Sequence, residues 1–288
     1  MTSILFLNDT TDYDNWGAHA CTEWLKAIIK DAIPDVTFVN MLSHWTTDEF
    51  YRLPWWMGGS VENRRRRIIG RFSEHILFLP KIADDFECVT DQWCNGNGGP
   101  FAREFLSKLD QSDAVVFNAE GATYNNNSSA IRCLFALWLT VTYFRKPAFF
   151  INGSVTLTRV YPVLNAMVQR TFSAITGVSV REPCSLENVR KWVPDVDVRM
   201  FPDSVFNYAN HCSASYDEPM DVSERLKSEE YFCFSLSMLI PAIGGSRAVD
   251  VEKTALFSLI MSLKKLVPNA VLMAKDGMDQ AIIKDLAR

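Results

Sequence analysis

The feature that most constrains this chain is a regular alternation, from Ser3 to Phe201, of short β-branched or aromatic runs with amphipathic helical stretches. Ser3 to Leu7 reads as a strand, Ala18 to Ala32 as a helix with Trp24, Leu25, Ile28 and Ile29 on one apolar face, and Val36 to Leu42 as a second strand. The series continues as helix Phe101 to Leu109, strand Ala114 to Phe117, helix Ser128 to Phe144, strand Pro147 to Ile151 and helix Thr158 to Ile175. It closes with strand Val178 to Arg181, helix Pro183 to Trp192 with Pro in its first turn, and strand Val198 to Phe201. Strands separated by helices pair in parallel, because each return to the sheet runs through a crossover. A parallel sheet is covered on both faces, so the expected class is α/β, doubly wound.

The alternation breaks twice. Between Trp45 and Pro100 the chain carries Trp55-Trp56, Gly58-Gly59, Arg64 to Arg67 and Gly96-Asn97-Gly98-Gly99, which reads as an insertion of loops over one end of the sheet. The tryptophan pair suits either a local core or the apolar face of a sugar ring, and the arginine run either a solvated helix face or a contact to phosphate or anionic lipid. After Asp203 the pattern resets. Residues 1–206 are expected to form an N-terminal Rossmann-like domain, 207–229 a polar linker, and 230–288 a partial second Rossmann-like domain. In that last part strands are expected at Tyr231 to Leu236 and Ala270 to Ala274, with helices at Val251 to Leu266 and Asp279 to Ala287.

Charge and cysteine usage narrow the function class. With 29 Lys and Arg against 34 Asp and Glu the net charge is -5, which argues against a nucleic-acid partner. Cys21, Cys88, Cys94, Cys133, Cys184, Cys212 and Cys233 are scattered without a CxxC pair or a zinc-site spacing, so no metal is expected and the thiols read as reduced. The amino terminus shows no basic leader, and the longest apolar segment, Ile131 to Phe144, contains Arg132 and falls short of the roughly 20 residues that span a bilayer. A cytoplasmic chain without a transmembrane segment is expected, with a peripheral position at the membrane left open.

Polar or glycine-bearing turns follow the strands, where backbone N–H groups and helix N-termini of a parallel sheet converge on a ligand. Asn8-Asp9 leads to Asn15-Trp16-Gly17; Asn118-Ala119-Glu120-Gly121 follows the central strand; Asn152-Gly153-Ser154 and Arg181-Glu182-Pro183 follow the next two. Gly17, Gly121 and Gly153 would allow close backbone approach, and Asn15, Asn118 and Asn152 can donate to phosphate or hydroxyl oxygens. Arg181 offers a planar fork for a carboxylate or phosphate, unless it pairs with Glu120 or Glu182. Ser185 falls in the first turn of the following helix, and Asp203 ends the last strand.

Taken together, Asp14-Asn-Trp-Gly17, Asn118-Ala-Glu-Gly121, Val180-Arg-Glu-Pro-Cys-Ser185 and Pro202-Asp203 resemble the motifs of the polysaccharide pyruvyl transferase family in order and spacing. The resemblance implies a GT-B-like architecture, two Rossmann-type domains facing a cleft, and transfer of a pyruvyl group from phosphoenolpyruvate to a pair of sugar hydroxyls. It implies no cofactor beyond that donor. The acceptor would be a sugar or polysaccharide, free or lipid-linked. Arg181 would hold the donor, and Asn15, Gly17, Asn118, Glu120, Gly121, Asn152, Ser185 and Asp203 would line the crevice. Members of the family carry a late Arg-Leu-His segment that supplies the general acid; the sequence to Arg288 lacks it, and none of His19, His44, His75 and His211 is assigned that role. The competing readings are a GT-B glycosyltransferase using a nucleotide sugar and a non-catalytic sugar- or anion-binding relative.

Overall fold

A computed structural model describes residues 1–11, 16–42, 78–121, 123, 128–207, 231–235, 261–262, 265 and 269–273. In strand β1 (Thr2–Asp9), Ile4 and Phe6 enter one hydrophobic cluster and Leu5 and Leu7 another, and all four are buried. A strand buried on both faces needs a layer on each side. The near layer is helix α1 (Trp16–Ala32), whose Leu25 packs with Ile4, Phe6, Val36 and Val116. The far layer holds α2 (Phe86–Cys94), α3 (Gly99–Asp110), α4 (Ser128–Thr142), α5 (Pro162–Phe172) and α6 (Pro183–Trp192), which supply Trp93, Phe105, Leu134, Met167 and Val189 to the larger cluster.

Besides β1, the sheet contains β2 (Val36–Leu42), β3 (Ala114–Asn118), β4 (Ala148–Gly153), β5 (Gly177–Val180) and β6 (Val198–Met200). Their order is β2-β1-β3-β4-β5-β6, and every neighbouring pair is parallel. From β1 the chain steps one way to β2 and later the other way to β3. The β1/β3 gap is therefore a topological switch point, where the connections leave in opposite directions and a crevice opens at the carboxyl ends of the strands.

Two expectations change. The insertion over Trp45 to Pro100 is not all loop: Phe86, Val89 and Trp93 recur at helical spacing, and α2 buries them in the far layer. Trp93 packs edge-on against Phe135 at 4.7 Å and donates its indole N–H to the Phe78 carbonyl at 2.8 Å. The helix expected from Thr158 begins only at Pro162, whose fixed φ suits the first turn and whose missing N–H costs nothing there. The Trp55-Trp56 pair and the Arg64 to Arg67 run lie outside the described residues.

The chain divides into two compact units, Met1–Asp12 with Ala20–Asn207, and Tyr13–His19 with Tyr208–Arg288. In the second, β7 (Tyr231–Ser235) and β8 (Asn269–Met273) form a separate parallel pair. Met261 and Ser262 are helical, within the stretch read as helix from Val251 to Leu266. The 208–229 part of the expected linker and the helix over Asp279 to Ala287 lie outside the described residues.

Candidate functional site at the carboxyl edge of the sheet

Three adjacent strands end in the same unusual way. Asn8 after most of β1, Glu120 two residues past β3 and Asn152 near the end of β4 have φ of 62°, 38° and 59°. This left-handed region costs an L-residue roughly 1–2 kcal/mol, less for asparagine, and it persists only where surrounding contacts hold it. Those contacts are present. Asn8 Nδ2 donates to the Asn118 carbonyl at 2.7 Å, and the Glu120 carbonyl accepts from Ser154 N–H at 2.5 Å. Asn152 exchanges two bonds of 3.1 Å with Ser204, donating from Nδ2 to its hydroxyl and accepting its N–H at Oδ1.

Glu120 sits over the switch point. Its Oε1 accepts from Thr10 Oγ1 and from Asn118 Nδ2, each at 3.0 Å. Asn118, fully buried, also donates to Thr22 Oγ1 at 2.9 Å, and the Thr10 and Thr22 hydroxyls meet at 2.5 Å. Elements β1, α1 and β3 thus orient one carboxyl. Burial pushes this carboxyl up to about 7; the Asp203 charge adds to the rise, while the Thr10 and Asn118 hydrogen bonds and the Arg181 charge oppose it. Asn118 Oδ1 is a buried acceptor with no partner among the described residues.

A second group lies beside the first, across the ends of β4 to β6. Arg181 donates from Nε to Ser154 Oγ at 3.0 Å and from Nη1 to Asp203 Oδ2 at 2.6 Å. It pairs with neither Glu120 nor Glu182 among the described residues, because the parallel β5/β6 register brings the end of β6 beside Arg181. The Asp203 carboxylate also accepts from Val205 N–H and, at 3.2 Å, from the Cys21 thiol. Burial, followed by the Asp203 charge, pushes that thiol up to about 12, so Cys21 is a neutral donor and not a nucleophile. Arg181 Nη2 carries no bond to a described residue, which leaves one edge of the guanidinium for an anion.

Of the residues singled out from sequence, Asn118, Glu120, Asn152, Arg181 and Asp203 therefore come together at one edge of one sheet. Gly121 is exposed there, and a Cβ on it would meet open space. Gly153 serves packing rather than ligand approach, since a Cβ would run into the Phe150 ring. Ser185 is 1% exposed; its hydroxyl donates to Glu182 Oε1 at 2.7 Å and accepts from Val155 N–H at 2.8 Å, stitching α6 to the loop after β4. Gly17 and His19 lie exposed in α1, in the stretch that groups with the second unit, and Asn15 lies outside the described residues. Thr10, Thr22, Cys21 and Ser204 belong to the site and went unread. Thr10 continues a polar run after β1, but Cys21 and Thr22 look like ordinary helix interior. Among the described residues no cluster of His, Cys, Asp and Glu side chains could hold a metal ion.

The family model for polysaccharide pyruvyl transferase matches residues 15–254, most of the chain. The chain belongs to the polysaccharide pyruvyl transferase family. No curated protein matches it. Among solved structures, an S. aureus MnaA–UDP co-structure aligns over 100% of this chain at 9% identity with a TM-score of 0.49, and this chain spans 66% of that one, just under two thirds. An azoreductase from Bacillus anthracis aligns over 73% of this chain and 91% of its own at 11% identity with a TM-score of 0.27. Among the described residues no helix is long and apolar enough to cross a membrane.

Proposed function

We propose that this protein binds phosphoenolpyruvate at the carboxyl edge of its six-stranded sheet and transfers the pyruvyl group to two hydroxyls of a sugar, forming a ketal. Membership of a transferase family supports the reaction class, and one observation carries the site: Arg181, held from two sides by Ser154 and Asp203, with an edge left for an anion. Phosphoenolpyruvate presents a carboxylate and a phosphate, and a guanidinium can take either through paired charge-assisted hydrogen bonds. Asp203 keeps the fork from swinging, so the donor meets a group whose orientation is already set. The acceptor is a sugar or polysaccharide, free or lipid-linked, and the scattered cysteines favour the cytoplasm as the place of reaction.

The chemistry sets what else the site needs. The enol methylene takes a proton and becomes methyl, the first sugar hydroxyl adds to C2 and gives up its proton, phosphate leaves with the C–O electron pair, and the second hydroxyl closes the ketal as its proton passes to phosphate. A proton donor must therefore stand beside an anion holder. The test is titration calorimetry with phosphoenolpyruvate and with UDP-sugars on the full chain, followed by NMR detection of the ketal methyl on a panel of sugar diols. Binding of phosphoenolpyruvate and not of UDP-sugars supports the reading. Selective UDP-sugar binding replaces it with a glycosyltransferase, and phosphoenolpyruvate binding without a ketal on any diol replaces it with an anion-binding relative.

A further inference from the structure

We propose that Glu120 is the catalytic residue that passes the proton in this site, giving it from Oε2 to the donor methylene and recovering one from the attacking sugar hydroxyl. The inference rests on the pyruvyl transfer reading above, which leaves the acid unassigned. Three features of the geometry carry it. Glu120 lies over the β1/β3 switch point, where an open parallel sheet receives its ligand. Both donors that fix its carboxyl, Thr10 Oγ1 and Asn118 Nδ2, converge on Oε1, so a proton on this carboxyl belongs on Oε2, the oxygen they leave clear. Its backbone is held left-handed by the Ser154 bond, a strain retained at just this residue while the neighbouring Gly121 takes none.

The charges around the carboxyl agree with such a role. From β5 comes the Arg181 guanidinium, from the end of β6 the Asp203 carboxylate and from α1 the neutral Cys21 thiol, and Arg181 and Asp203 are already paired with each other. Burial thus dominates, and with its titration near 7 the group exists in both forms at neutral pH, as an acid that must also serve as base requires. The cycle balances. The Oε2–H bond breaks as the methylene C–H bond forms, the C2 centre takes the first hydroxyl oxygen, and that hydroxyl's proton restores the acid, so Glu120 ends as it began.

The test needs no acceptor. A phosphoenolpyruvate anion bound beside Glu120 raises its proton affinity, so wild-type protein should take up about half a proton per donor bound near pH 7.5. Calorimetric titration of phosphoenolpyruvate in buffers of unlike ionisation enthalpy reads this uptake directly. Glu120→Gln keeps an acceptor for Thr10 and Asn118 and cannot titrate; it should bind the donor within about threefold of wild type yet lose that uptake, and its circular dichroism verifies folding. Equal uptake by wild type and Glu120→Gln overturns the assignment while leaving the donor reading intact. Failure of wild type to bind phosphoenolpyruvate overturns the donor reading, and this inference with it.

Discussion

Glu120→Gln should stabilise the protein above neutral pH while removing its titrating carboxyl. The folded state raises this carboxyl from 4.5 to about 7, chiefly by burial, so the folded protein holds the proton more tightly than the unfolded chain does. The sign follows: the stability tied to the proton is fully present below about pH 4.5, falls as pH rises through the window to about 7, and is gone above it. Each pH unit of that rise is worth about 1.4 kcal/mol, roughly 3 kcal/mol in all, and partial solvent screening reduces it to about 2 kcal/mol. Glutamine has no charge to bury. Urea unfolding followed by circular dichroism near pH 4.5, 6 and 8 should show the variant gaining about 2 kcal/mol on wild type between the two extremes, with unchanged m-values. Parallel stability curves for the two proteins would refute the reasoning, because they would mean that Glu120 titrates alike folded and unfolded.

Arg181→Ala should weaken phosphoenolpyruvate binding by about 1.5–3 kcal/mol, roughly ten- to a hundredfold, and Arg181→Lys by less, since lysine keeps the charge without the fork; titration calorimetry on folded variants decides it. At Asn152, alanine should cost more than glycine although both lose the two Ser204 bonds, because only alanine is strained at φ 59°; the difference should be about 1 kcal/mol in chemical denaturation. Trp93→Ala, which opens a hole among Phe101, Phe105 and Phe135, should destabilise the first unit by about 3–5 kcal/mol in the same measurement. Ser185→Ala should cost about 1–2 kcal/mol and leave donor affinity unchanged, because its hydroxyl joins α6 to the loop after β4; a tenfold loss of affinity would return Ser185 to the binding set.

The sheet was legible because hydrophobic period is a local property. Val115-Val116-Phe117 can be read as a doubly buried strand without knowing its neighbours, and the same holds for β1 and β4. Helix α2 escaped because Phe86, Val89 and Trp93 share their turns with Glu87, Cys88 and Asp91, and the glycines that follow look like a loop. The strand-end motifs placed Asn118, Glu120, Asn152, Arg181 and Asp203 correctly at one edge, since parallel strands joined by helices put all their carboxyl ends together whatever their order.

Order and register belonged to the tertiary structure alone. Nothing local in Arg181-Glu182 says that its partner is Asp203, because that pairing depends on β6 lying beside β5 in a given register. Nor does Asn118-Ala-Glu-Gly announce that Glu120, and not the adjacent glycine, takes the left-handed turn; bonds from Ser154, Thr10 and Asn118 impose it. A carboxyl's proton affinity is likewise invisible in its residue type. It is set by how much water the fold removes and which charges remain nearby, so sequence by itself named Glu120 and only the packing of three strand ends made it a group that titrates at neutral pH.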